Sequence, residues 1–128
     1  MAREQFQTLT EPMYYILLAL TEECCGVDIM EKVRKISGGR VKVGPGTLYA
    51  MLSKFEKNQI IRLTGEENRR KSYIITEAGR KMLLEEYERL KIIAEEGRIF
   101  LEKMKSTYLN QNAAGPTDLV MFSNRKGR

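Results

Sequence analysis

Few side chains in this chain of 128 residues are spaced for covalent chemistry, and none of them is histidine. Without an imidazole there is no Ser-His or Cys-His nucleophile pair, no usual base at neutral pH and no His-containing zinc site. Cys24 and Cys25 are adjacent and bridge only through a strained ring. Two cysteines make no disulfide framework, so the expected compartment is a reducing cytoplasm. The carboxylate pairs Glu22-Glu23 and Glu66-Glu67 have no partner base beside them. An enzyme built on Cys25 or on a carboxylate pair is therefore the weakest reading, and neither a metal nor a cofactor is expected. The remaining chemistry is recognition. Arg69-Arg70-Lys71 form a run of cations, and Thr47, Tyr49, Ala50 and Ser53 fall on one side of a helical period.

Charge supports recognition. Residues 31–81 hold thirteen Lys/Arg and five Glu, whereas the rest of the chain holds nine basic and twelve acidic residues, for a net charge of +5. A basic middle between acidic ends suits a polyanion on one face. The rival reading is a solvated basic surface. The longest apolar run, Met13 to Leu20, is too short for a membrane span of about 20 residues. The start Met1-Ala2-Arg3-Glu4 lacks the apolar core of a secretory signal.

These residues need elements to position them. Thr10-Glu11-Pro12 opens a first helix, with a capping hydroxyl, an acidic first turn and a tolerated early proline. Met13-Leu20 follows with almost no polar face, which predicts cover on several sides and suggests that a second subunit supplies part of it. Thr21 to Gly26 reads as a polar turn. A second helix is expected from Val27 to Ser37, with Ile29, Met30, Val33 and Ile36 inward, and Gly38-Gly39 ends it. Arg40-Val41-Lys42-Val43 alternates as a minimal strand. Gly44-Pro45-Gly46-Thr47 opens a third helix, with Leu48, Leu52 and Phe55 inward and Met51 beside them. Ile60–Thr64 and Ser72–Thr76 read as strands around a tip at 65–71. Three helices and a hairpin in this order make a winged helix-turn-helix.

Thr76-Glu77 starts a last helix reaching about Leu109. Leu83, Tyr87, Leu90, Ala94, Gly97, Leu101, Met104 and Tyr108 alternate spacings of four and three, the seam of a helix that pairs with another helix. The alternative is a helix folded back on its own domain. Asn110 to Arg128 shows no helical period and is left open between a flexible tail, a docking segment and a non-native extension. The expected class is mainly α with a small β-hairpin (α+β). Its parts are an N-terminal arm (1–9), a winged helix-turn-helix (10–75), a C-terminal dimerisation helix (76–109) and the tail (110–128).

The stretch from Thr10 to about Met104 resembles the PadR family of bacterial transcriptional regulators. Gly44-Pro45-Gly46-Thr47-Leu48-Tyr49, continued by Leu52, Phe55, Glu56 and Ile60-Ile61, is similar to the family's recognition-helix pattern. Thr10 to Leu17 and Arg69 to Gly79 resemble its first helix and wing. Cys25 and Val27 depart from the family's frequent histidine and tyrosine, Asn68 from a frequent wing-tip glycine, and Lys54 from a common arginine. The absence of tryptophan removes an aromatic drug clamp that some members use. The resemblance implies a homodimeric repressor of double-stranded DNA, with the long helix packed against the partner.

Under this reading the recognition helix contributes Gly44, Gly46, Thr47, Tyr49, Ala50, Ser53 and Lys54. The glycines admit a phosphate to the helix start, and the outward side chains read base edges. Arg69, Arg70 and Lys71 hold phosphates or enter the minor groove, flanked by Lys42 and Tyr73, with Lys57 as a further phosphate contact. The rivals are Tyr49 lying flat on the core edge and a merely solvated wing tip. The dimer interface is expected at Met13, Tyr14, Leu17, Leu83, Tyr87, Leu90, Ala94, Gly97, Leu101 and Met104. A pocket for a small apolar or aromatic effector is expected at Met13, Tyr14, Leu17, Leu90, Ile93, Ala94 and Gly97, against a rival of a tight seam with no cavity. The alternative function is a winged helix that contacts proteins and no nucleic acid.

Overall fold

The computed structural model describes residues 8–111, with the side chains of 110 and 111 left aside. Most of the N-terminal arm and the tail beyond residue 111 lie outside the described residues. The elements are α1 (Glu11–Ala19), β1 (Cys24–Cys25), α2 (Gly26–Ile36), α3 (Pro45–Lys57), β2 (Ile61–Glu67), β3 (Arg70–Ile75) and α4 (Glu77–Gln111). The chain divides into two compact units, one ending at Tyr87 and the other starting at Glu88.

In the first unit α1 is capped as its sequence requires, with the Met13 N–H donating to the Thr10 hydroxyl at 3.4 Å. Its apolar run is covered by the chain itself. Met13, Ile16, Leu17, Ala19 and Leu20 are buried, and Tyr14, Tyr15 and Leu18 are half-buried. The suggestion that a second subunit supplies part of the cover is therefore not needed for those buried residues. Helices α2 and α3, the sheet and the start of α4 enclose it in one core, to which Met82 and Leu83 also belong.

Three further readings change. The segment Thr21–Gly26 is not only a turn, because Cys24 and Cys25 form a short antiparallel strand opposite Tyr73 and Ser72. A two-residue strand has no period, so only its partner reveals it. Arg40–Val43 forms no strand. Val41 and Val43 are buried and Lys42 is exposed, so the alternation is real, but no neighbouring strand completes a ladder. Ile36, expected inward, is exposed in the last turn of α2.

The sheet order is β1-β3-β2, all antiparallel. The strands run further into the wing than the sequence suggests, leaving only Asn68 and Arg69 between them. Both have positive φ, 53° and 65°, as a two-residue hairpin of the twist-matching kind requires. The register slips between Leu63 and Gly65, and there the Thr64 hydroxyl donates to Glu23 Oε2 at 2.6 Å. Thr76 caps α4, accepting from the Gly79 N–H at 3.0 Å.

In the second unit α4 carries ion pairs three residues apart, such as Arg98 to Glu95 at 2.7 Å. Leu90, Ile92, Ile93, Ile99, Phe100, Leu101 and Met104 are exposed on this stretch. The apolar arc is wider than the expected seam, since Ile92, Ile93, Ile99 and Phe100 lie beside it.

Candidate nucleic-acid interface

Helix α3 is held by one face. Leu48, Leu52 and Phe55 are fully buried, with Met51 half-buried beside them. That leaves Pro45, Gly46, Thr47, Tyr49, Ala50, Ser53, Lys54, Glu56 and Lys57 exposed. The expected reading row therefore lies on the solvent face of the helix. The helix start is unusual among the four described helices. Glu11, Asp28 and Glu77 place a carboxylate in the first turn of α1, α2 and α4, whereas α3 has none, and its N-cap Gly44 supplies no side-chain cap. A Cβ added to Gly44 or Gly46 would meet nothing within 4 Å. The fold does not require these glycines for packing. Free backbone N–H groups and an uncompensated dipole favour an external anion here.

Across from α3 stands the wing. Arg70 and Lys71 lie on β3 opposite Glu67 and Glu66, and Arg69 occupies the turn. Among the described residues none of these three cations takes part in an ion pair. A cleft of about 280 Å³ separates the wing from α3. Tyr49, Leu52, Ser53 and Glu56 form its α3 wall, and Arg69, Arg70, Lys71 and Tyr73 its wing wall. Cys25, Gly26 and Val27, at the start of α2, close its base.

The cleft joins Tyr49 and Ser53 of the recognition helix to Arg69, Arg70, Lys71 and Tyr73 of the wing, whereas Gly44, Gly46, Thr47 and Ala50 lie outside it, and two adjustments follow. Tyr73 is buried and belongs to the core, so it supports the wing instead of extending from it. Burial pushes its phenol above the ordinary value, and the Glu56 carboxylate adds to the rise. Tyr49 has both properties that the sequence left open. It rests against Gly26 and is still 44% exposed. Lys42, Lys54 and Lys57 are exposed outside the cleft. Sequence reasoning missed Gly26 and Glu56, although Glu56 lies in the motif.

Of the residues expected at a dimer interface or effector pocket, Met13, Leu17 and Leu83 are buried within the chain and fill its own core. Tyr14 is half-buried, and burial followed by Tyr15 raises its phenol. Tyr87, Leu90, Ile93, Ala94, Leu101 and Met104 are exposed. Gly97 is half-buried, and a Cβ there would meet nothing within 4 Å.

Residues 16–85 match the Transcriptional regulator PadR-like family, a span holding the C-terminal part of α1, all of α2 and α3, both wing strands and the start of α4. The chain belongs to the PadR-like family. A solved transcriptional regulator from Clostridium thermocellum is similar at 27% identity, over 68% of this chain and 89% of that one, with a TM-score of 0.58. A PadR-like transcriptional regulator from Bacillus cereus is similar at 25% identity, over 69% of this chain and 88% of that one, with a TM-score of 0.58. An uncharacterized 37.1 kDa protein in a transposon of Streptomyces fradiae is 32% identical over 90 residues, 69% of this chain. The PadR-like chain spans a quarter of that relative's length. The family is one of transcriptional regulators, and this chain has the winged-helix fold of its solved members. Among the described residues no helix is long and apolar enough to cross a membrane.

Proposed function

We propose that this regulator acts in the cytoplasm as a homodimeric repressor of a roughly palindromic operator. Helix α3 enters the major groove with Thr47, Tyr49, Ala50 and Ser53 toward base edges, while Arg69, Arg70 and Lys71 hold the backbone beside it. The observation that carries this reading is the juxtaposition across one cleft of an exposed, uncapped helix face and three wing cations without ion-pair partners. Lys42, Lys54 and Lys57 extend the positive surface. The domain boundaries follow the same division of labour, with the winged part at 10–75 and α4 as the dimerisation element.

Dimerisation is supported by the exposed apolar arc of α4 from Leu90 to Met104 and by Gly97. A mid-helix glycine costs about 1 kcal/mol against alanine, and among the described residues nothing lies within 4 Å of a Cβ placed there. A partner helix approaching closely does. Release by a small apolar or aromatic effector completes the proposal, with Ala94→Leu as its probe. A variant that still dimerises and binds DNA but no longer releases it on ligand addition supports that part.

The test of the main reading is selection from randomised duplexes, followed by titration of the winner across salt. The proposal expects a two-fold symmetric site with half-sites roughly 34–36 Å apart. It also expects affinity to fall steeply with salt, by about 0.9 log units per tenfold salt for each phosphate contact. Affinity independent of salt overturns the proposal and favours a winged helix for protein contacts.

A further inference from the structure

The start of α2 holds a glycine that backbone conformation does not explain. Among the described residues the positive-φ glycines are Gly38 and Gly39, so Gly26 is not required by a left-handed turn. It lies in the first turn of a helix, where alanine is the better residue. Packing supplies the reason. A Cβ at Gly26 would stand 3.2 Å from Tyr49 Cε1, 3.3 Å from the Tyr49 hydroxyl oxygen and 3.6 Å from Tyr49 Cζ. The three nearest atoms all belong to one side chain, and that side chain is in the reading row of α3.

The placement of Gly26 adds a second link. It follows directly on β1, whose Cys24 and Cys25 pair with Tyr73 and Ser72 at the root of the wing. The Tyr49 ring therefore lies on a seat fixed from two sides, by the start of α2 beneath it and by the wing strand through β1. We propose that Gly26 is a positioning residue for sequence recognition, whose missing side chain sets the depth at which Tyr49 meets the duplex. This rests on the DNA-reading role proposed above for Tyr49. A methyl group at 26 makes contacts tighter than side chains ordinarily tolerate, so the ring must shift by a few tenths of an ångström toward the groove. A cleft that opens to solvent gives it somewhere to go. A good base contact discriminates by roughly 1–3 kcal/mol, so a displaced one redistributes affinity by roughly fivefold or more.

The experiment compares wild type, Gly26→Ala, Tyr49→Ala and the double variant by selection from randomised duplexes, with thermal unfolding and the NMR shifts of the Tyr49 ring alongside. The expected result for Gly26→Ala is an unchanged or raised Tm, a moved Tyr49 resonance, and relative affinities changed roughly fivefold or more at one position in each half-site. Its salt dependence stays that of wild type, because no cation is touched. In the Tyr49→Ala background Gly26→Ala changes preference less than about twofold. Unchanged preference in Gly26→Ala overturns the inference and leaves the DNA reading intact, as does a change that persists without Tyr49. A wild-type chain with no salt-dependent duplex binding fails the DNA reading itself, and the inference falls with it.

Discussion

Arg69 occupies a left-handed backbone position in the wing turn, with φ at 65°. For a residue with a side chain, that conformation costs roughly 1–2 kcal/mol. Replacing it with glycine removes the cost but restores freedom to the unfolded chain worth roughly 0.5–1 kcal/mol. The net effect of Arg69→Gly is therefore a gain of about 0.5–1 kcal/mol, or roughly 2–8 °C in Tm for a domain of this size. The same change removes one wing cation per subunit. Losing two phosphate contacts per dimer flattens the salt slope of operator binding by about 1.8 log units per tenfold salt. Stability and binding thus move in opposite directions from one substitution. Arg69→Asn, whose side chain tolerates the left-handed region, should behave like the glycine variant. Arg69→Lys keeps both charge and strain and should leave both quantities near wild type. Differential scanning calorimetry and fluorescence titration between 50 and about 300 mM salt read the two effects. A lower Tm in Arg69→Gly refutes the strain argument, and an unchanged salt slope removes Arg69 from the phosphate contacts.

Other perturbations separate packing from function. Gly46→Ala fills open space on α3, so it should raise Tm slightly, by up to about 1 kcal/mol of helix propensity, while weakening duplex binding; equal binding would show that no phosphate approaches the helix start. Gly79→Ala presses a Cβ into the Ile60 carbonyl oxygen and to within 2.6 Å of Ile75 Cγ1, so urea unfolding should show a loss of about 2–3 kcal/mol. Leu90→Glu buries an unpaired carboxylate in the proposed dimer, at several kcal/mol; light scattering should fall from twice 14.8 kDa to 14.8 kDa, and a wild-type mass of 14.8 kDa refutes the dimer. Burial raises the Cys24 thiol and the Tyr14 and Tyr73 phenols. Groups raised in the folded state contribute fully below their unfolded pKa and lose that contribution as pH rises through the folded value. Their share of stability should hold through neutral pH and decline above about pH 9, and a loss centred between pH 6 and 8, where no histidine titrates, contradicts this.

The winged part was legible because its signals are local and repeated. Leu48, Leu52 and Phe55 fix the inward face of α3 by period alone, and Thr10 and Gly38 mark helix ends by cap chemistry. What escaped depends on partners distant in the chain. The strand Cys24–Cys25 exists only because Tyr73 and Ser72 lie beside it, and the alternation of Val41 and Val43 reports burial without a ladder. The apolar face of α1 was legible only in part. Its composition says that it must be covered but not by what, and for its buried residues the cover is the chain's own α2, α3, sheet and early α4. Ile36 failed because a helix end can turn one side chain out of the core without breaking the period. The wing was read too long at its tip, because Glu66, Glu67, Arg70 and Lys71 look like loop residues until they pair across strands.

The glycines show where the fold has its own reason for a residue and where it has none. Gly79 is required by the Ile60 carbonyl, and Gly38 and Gly39 by positive φ. Gly44 and Gly46 have neither reason, and they stand at the uncapped start of α3. Gly97 has neither reason, and it stands on the exposed stretch of α4. Gly26 is explained only by Tyr49. Evolution tolerates a lost methyl or a strained turn where the partner that compensates is outside the folded monomer, and Arg69 joins these positions as a strained residue on the wing. If that account is right, alanine at 46 and 97 and glycine at 69 should each raise the stability of the isolated chain while weakening duplex binding or dimerisation. A variant of this set that lost stability, with its binding intact, would show that the fold itself was using the residue after all.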